Sequence, residues 1–241
     1  TVGVFDGVHR GHQKLLSAVT AEASSKGYVP GVLTFRNHPD SIFRADFRPQ
    51  YITSLEKRIK LIKDCGVSFV VPVTFDQEMA HLRAEDFARL LQEKLLMKSL
   101  IIGPDFAMGH NREGNIEKLT ALGAQMGFAV QEVDLMVNGG KAVRSTQIRQ
   151  AIASGDIDMA TNMLGRQFSL VGEVAHGDKR GRELGFPTAN LQVSPDMAVP
   201  ANGIYATFAY VAGCRHMAAT SIGTRPTFDG VGRTLAAFLL D

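Results

Sequence analysis

The chain has 241 residues, 45% of them hydrophobic and 21% charged, with a formal charge of only +2. That is the make-up of an ordinary globular protein, too weakly basic for a surface that displaces counterions from nucleic acid, so nucleic acid is not an expected partner. No apolar run approaches the ~18 residues that span a bilayer, and no signal peptide opens the chain, so no membrane partner is expected either.

The length exceeds the usual ~100–200 residues of one domain and points to two. Short apolar runs at 1–5, 30–35, 67–73, 99–103 and 128–133 read as strands, separated by stretches of helical period. The first helix, from about Gly11 to Lys26, carries Leu15, Leu16, Val19 and Ala23 on one stripe. In TSLEKRIKLIKDCG, Thr53 or Ser54 can cap, Leu55, Ile59 and Ile62 form a stripe, and Gly66 stops the helix. This alternation predicts an α/β, doubly wound parallel sheet over 1–164. A short helix at 155–165 joins it to 165–241, where runs at 168–174, 203–211 and 234–240 predict a small all-β barrel or sandwich. Thr1 reads as starting inside a strand and Asp241 as closing one, which predicts a fragment of a longer protein. The two cysteines, Cys65 and Cys214, lack CxxC spacing and fit reduced thiols in a cytoplasm.

The chemistry begins in VFDGVHRGH, Val4 to His12. A parallel strand must turn there into a helix, at the rim where α/β folds bind ligands. Gly7 and Gly11 permit the turn, and His9 and His12, three apart, face one side beside N–H groups that favour phosphate. Two such histidines can also cap a helix, pair with carboxylates or hold a metal. The string T-x-G-x-FDG-x-H-x-GH resembles the signature of the HxGH nucleotidyltransferases, whose sheet is Rossmann-like and which join an adenylyl group from ATP to a phosphate. The resemblance implies that Gly3, Phe5, Asp6 and Gly11 belong to the nucleotide site, with His9 and His12 catalytic. It also implies a second phosphate-binding string, supplied by RSTQIR: Arg144, Ser145 and Thr146 at a helix start, and Arg149, also catalytic, one turn later.

Two further segments bear on the acceptor. TFRNHP (34–39) and IIGPDFAMGHNREGN (101–115), with TSLEKRIKLI, resemble the flavin-adenylating branch of that superfamily, whose patterns are TFxxHP, LTSxxEK and VGxDFxFG. The resemblance implies flavin contacts from Asn37, His38, Asp105 and Phe106. Read as residues alone, Asp105 can cap a turn, His38 can be a structural loop residue and Phe106 can be core packing. Ala107 and Met108 stand where the family often has a basic residue and Phe.

In GDKRGRELGFPTAN, Gly177, Gly181 and Gly185 alternate with Lys179, Arg180 and Arg182, so backbone N–H groups can approach phosphate with cations beside them. No GxxxxGK[ST] occurs, which excludes a P-loop kinase. Pro187 fixes the chain before Thr188 and Asn190, whose oxygens share one side and suit a hard cation such as Mg2+. GFPTAN resembles the riboflavin kinase motif, as do PANGIYA (200–206) and SIGTRPTF (221–228), the latter implying a flavin contact from Arg225. One departure stands out. Ala236 in TLAAFLLD occupies the place of the family glutamate, which the resemblance implies to be the base.

The whole chain thus resembles the prokaryotic bifunctional riboflavin kinase/FMN adenylyltransferase family, or FAD synthetases. That implies ATP as co-substrate, Mg2+, FMN and riboflavin as substrates, and a cytoplasmic enzyme; it leaves the oligomeric state open. Ala236 keeps a second reading open, a monofunctional FMN adenylyltransferase with a degenerate barrel. A third, a flavin-binding regulatory protein, is opposed by the intact HxGH and RSTQIR strings.

Overall fold

A computed structural model describes residues 1–134, 136–138, 141–175, 187–227 and 230–240. The glycine-rich basic loop with Gly177, Lys179, Arg180, Gly181, Arg182 and Gly185 lies outside the described residues, as does the side chain of Arg225. The chain forms two compact units, Thr1–Ser145 with Met163–Gly165, and Thr146–Asn162 with Arg166–Asp241.

The first unit runs α1 (Arg10–Lys26), β1 (Gly31–Phe35), α2 (Asp40–Phe43), α3 (Leu55–Asp64), β2 (Phe69–Val73), α4 (Gln77–His81), α5 (Ala84–Leu95), β3 (Ser99–Ile102), α6 (Ile116–Met126), β4 (Ala129–Glu132) and a short hairpin of β5 (Val137–Asn138) with β6 (Lys141–Ala142). Its long-range pairs are parallel, β1 with β2 and β3 with β4, as the alternation of strands and helices requires. The expected strand at 1–5 is shorter. Thr1–Gly3 lies parallel along β1 through Gly3 N to Leu33 O at 3.0 Å and Leu33 N to Thr1 O at 2.9 Å. It then breaks because Phe5 takes a left-handed φ of 53° to enter the turn before α1.

Leu16, Val19 and Ala23 of α1 face inward as their spacing predicts. Leu16 joins Phe5, Val8, Val32, Ile62 and Val67 in one core cluster, while β1, β3, α5 and α6 share another around Leu33, Phe35, Leu100, Phe87 and Leu119. In α3, Ser54 is the cap, its hydroxyl accepting from Lys57 N at 3.2 Å. The stripe is rotated from expectation. Arg58 and Ile62 are buried, whereas Leu55 and Ile59 are only half-buried. The reason is polar, because Arg58 reaches a strand-end carbonyl inside the unit.

In the second unit α7 (Ser145–Ser154, from its second residue) and α8 (Ile157–Leu164, up to Asn162) precede an antiparallel sheet of β7 (Glu173–Ala175), β8 (Thr188–Gln192), β9 (Gly203–Val211), β10 (Cys214–Thr227) and β11 (Gly230–Leu239), in the order β7-β8-β11-β10-β9. Ala212 and Gly213, with φ of 50° and 83°, make the two-residue turn that matches strand twist between β9 and β10. The strand expected at 168–174 is realised only from Glu173. Its partner β8 ends at Gln192, opposite Glu173, so earlier residues have no ladder to join there.

Candidate active site

The site grows from a strained turn. Phe5, Gly7 and Val8 have φ of 53°, 79° and 37°, so two non-glycine residues sit in a region that costs of order 1–3 kcal/mol each. Several bonds hold it there. Thr34 Oγ1 and Arg58 Nη1 both donate to Val4 O, at 3.0 and 2.7 Å. The Asp6 carboxylate accepts from Ile52 N at 3.0 Å, Thr53 N at 3.2 Å and Thr53 Oγ1 at 3.3 Å, and Gly7 N donates to Thr53 Oγ1 at 3.1 Å. Asp6 is 2% exposed, so its charge is used to fasten the loop before α3 to the turn. Asp6→Ala strands those donors and is expected to cost about 3 kcal/mol of stability, read as a lower urea midpoint at unchanged m.

Past the turn, His9 is the N-cap of α1, its Nδ1 accepting from His12 N at 3.3 Å. An accepting Nδ1 leaves the ring proton on Nε2. The His9 and His12 rings stack at 3.6 Å and 17°, and the edge of Phe5 meets His12 at 5.1 Å. His9 therefore caps the helix and lines the site at once. Gly11 is needed here, since a Cβ would lie 3.1 Å from the His9 ring and 3.3 Å from Val143 O. Burial, then the neighbouring His9 ring and the Arg58 charge, push the His12 pKa well below its ordinary value. Its Nδ1 is buried and has no hydrogen-bond partner among the described residues.

The second string reaches the same turn, because Ser145 Oγ donates to Asp6 O at 3.0 Å. Arg144, half exposed, pairs with Asp105 at 2.6 Å, so the first residue of that string is tied to the 101–115 loop. Thr146 is exposed and Arg149 half-buried on α7, in the second compact unit.

The residues expected at the acceptor divide by how much of each is already engaged. Asn37 bridges strand ends, donating to Phe75 O at 2.8 Å and accepting from Phe75 N at 2.9 Å. His38 Nδ1 accepts from Asp40 N at 3.2 Å, and its ring lies 4.9 Å from that of Phe47. Phe106 packs on the larger core cluster, and Met108 is buried within it while bridging to Gly114. Asp105 remains exposed on one side, its carboxylate paired with Arg144.

Arg58, Thr34 and Gln13 carry no mark of this role in the sequence, and Thr53, a cap candidate there, binds Asp6 and Gly7 instead. Gln13 Nε2 donates to Val8 O at 2.9 Å and to Leu164 O at 3.0 Å, closing the turn from its far side.

In the second unit, Thr188 and Asn190 alternate along β8, with Pro187 just before it, and so share a face. Across the ladder Asn190 faces Ala236 and Thr188 faces Phe238, while Ala236 faces Ser221 on its other side. A side chain at 236 therefore stands beside Asn190. Arg225 on β10 is in register with Gly232. Among the described residues no three His, Cys, Asp or Glu side chains cluster as a metal site.

Comparison with known proteins agrees with both modules. Residues 1–147 match the family model described as FAD synthetase, and residues 164–241 that described as riboflavin kinase. The chain is 37% identical over its whole length to the bifunctional riboflavin kinase/FMN adenylyltransferase of Escherichia coli K12, covering 77% of that protein, and 36% identical to that of Pseudomonas fluorescens, covering 78%. It also superposes at a TM-score of 0.91 and 29% identity on a solved structure called a macrolide-efflux protein from Streptococcus pneumoniae, covering all of this chain and 79% of that one. No described helix here is long and apolar enough to cross a membrane. Two modules matched in sequence order, over the full chain, place it in the family of bifunctional riboflavin kinase/FMN adenylyltransferases.

Proposed function

We propose that residues 1–164 transfer the adenylyl group of ATP to FMN, giving FAD and pyrophosphate, and that residues 165–241 phosphorylate riboflavin to FMN. The observation that carries the first activity is the stacked His9–His12 pair in the braced turn, fastened to the second string through Ser145. An FMN phosphate oxygen attacks the α-phosphorus of ATP, the bond from that phosphorus to the bridging oxygen breaks, and the pair of electrons leaves with pyrophosphate. Nothing in this displacement needs a protein nucleophile; it needs positioning and charge stabilisation. His9 donates from Nε2, and His12, Ser145, Thr146 and Arg149 hold the triphosphate. Gly3, Phe5 and Gly11 shape its bed. Asp6 acts through the turn rather than on the nucleotide.

Arg144 and Asp105 form one pair in the free protein, so binding either phosphate or flavin there meets an ion pair that must be shared or opened. His38 and Phe106 offer ring faces to the flavin, and Asn37 fixes the loop that carries His38. In the second module Thr188 and Asn190 supply neutral oxygens of the kind a Mg2+ ion takes alongside ATP phosphates. The ion would neutralise charge on the transferring phosphate. Gly177, Lys179, Gly181, Gly185 and Pro187 would hold ATP there, and Arg225 the flavin. The cytoplasm supplies ATP and a reducing setting, and we place the protein there.

The test is direct. The chain is incubated with ATP, Mg2+ and either FMN or riboflavin, and flavins are resolved chromatographically while pyrophosphate is measured. FAD and pyrophosphate formed from FMN in equal amounts are the expected result. FAD from FMN without FMN from riboflavin would instead assign a monofunctional adenylyltransferase, and product from neither would leave a flavin-binding protein.

A further inference from the structure

Arg58 is 1% exposed and, with Asp6, His9, Thr34 and Thr53, one of the buried polar residues of the described chain. Asp6 and His9 lie in the Val4–His12 turn, Arg58 and Thr34 bond to Val4 O, and Thr53 bonds to Asp6 and Gly7. We propose that Arg58 is the positioning residue of the adenylyl-transfer site: a buried guanidinium that clamps the Val4 carbonyl at the start of the turn that carries His9 and His12.

Three observations carry this. First, the bond from Nη1 to Val4 O, at 2.7 Å, is shared with Thr34 and pins the last carbonyl before the left-handed Phe5. Second, burying a guanidinium is expensive, and here the expense is only partly offset, since Arg58 Nε has no hydrogen-bond partner among the described residues. The Tyr51 ring lies 5.8 Å away and adds a weak cation–π contact. A group kept under these conditions is poorly explained by stability, since an apolar side chain of the same volume would fill the site without desolvating a charge. Third, its field reaches the chemistry. Burial first, then the His9 ring, depress the His12 pKa, and the Arg58 charge adds to them. Burial also depresses the Arg58 pKa, while Asp6, Tyr51 and Glu56 oppose that.

The consequence is that His12 meets the incoming triphosphate as an uncharged donor, correctly oriented, and that the positive potential of Arg58 attracts the phosphates. This rests on the adenylyl-transfer reading, and the test separates the two. Two variants part charge from clamp: Arg58→Lys keeps the charge, and Arg58→Gln keeps an N–H donor without it. FAD formation from FMN is followed from pH 5.5 to 9, and the His12 ring is titrated by NMR in the protein without ligand, which needs no activity.

Expected for Arg58→Gln is a kcat lower by about 10-fold or more, with the ATP KM changed less than threefold, and a His12 titration moved to higher pH. Removing a positive charge favours protonation, so the acid limb of the rate profile moves up with it. Arg58→Lys should leave that titration near its native position and recover most of kcat. An unchanged His12 titration in Arg58→Gln, or equal losses in both variants, would overturn the proposal. If Arg58→Gln does not fold, a native His12 titration and kcat in Arg58→Lys still support it, and a shifted titration in Arg58→Lys counts against it. Wild-type protein that makes no FAD would defeat the functional reading alone.

Discussion

His9→Ala and His12→Ala are each expected to lower kcat for FAD formation by about 10²–10³-fold, the range seen when one positioned donor to a developing charge is removed. The two losses should be strongly non-additive, because the rings stack at 3.6 Å and His9 Nδ1 holds the His12 backbone N–H, so deleting one disturbs the other. The check is a double-mutant cycle on kcat with FMN as acceptor, with pyrophosphate as second readout. Loss in His9→Ala also includes a lost helix cap of about 1 kcal/mol, visible as a lower midpoint of unfolding. His9→Asn restores a capping oxygen and should recover that stability without recovering kcat. Single variants with native kcat would remove these rings from the mechanism. Phosphorylation of riboflavin should be untouched in all of them, because no residue assigned to it lies in the 4–12 turn.

The second large effect runs the other way. Ala236→Glu should raise the rate of riboflavin phosphorylation by about 10²–10⁴-fold, the usual contribution of a positioned general base. The sheet accommodates it. Ala236 is half-buried and its neighbours across the ladders, Asn190 and Ser221, are polar, so the carboxylate lies between hydrogen-bonding groups instead of in the core. FMN formed from riboflavin and ATP is the measurement, with FAD formed from supplied FMN as the control that stays constant. If native protein phosphorylates riboflavin briskly and glutamate adds nothing, the base comes from elsewhere and the missing-glutamate argument fails. A gain in the variant would mean that the two activities in this chain are unequal by one side chain.

Much of this molecule is read directly from its sequence because the signals are local. The apolar stripe of α1, the capping Ser54, and the short apolar runs that became β1 to β4 each follow from spacing within about ten residues. The all-β character of residues 165–241 followed in the same way, although β7 is shorter than its apolar run, because strand length is settled by a partner and β8 stops at Gln192. Motifs behaved likewise: His9 and His12 meet across the cap and first turn of α1, and the Thr188–Asn190 alternation follows from strand geometry.

What lay beyond the sequence is which groups are consumed before any ligand arrives. Asp6, Asn37 and Thr53 have the chemistry of ligand-binding residues, and only tertiary contacts reveal that their oxygens and N–H groups are committed to Ile52, Phe75 and Gly7. Arg58 shows the same limit from the other side. Nothing in its spacing marks it, because helical period carries no information about a carbonyl 54 residues away that needs a donor. The sequence by itself determined the two modules and the histidine pair, and its resemblance to the family marked position 236. The tertiary structure decided which polar groups brace the site and which remain to act, since hydrogen bonds between distant segments, unlike periodicity, leave no trace in local order.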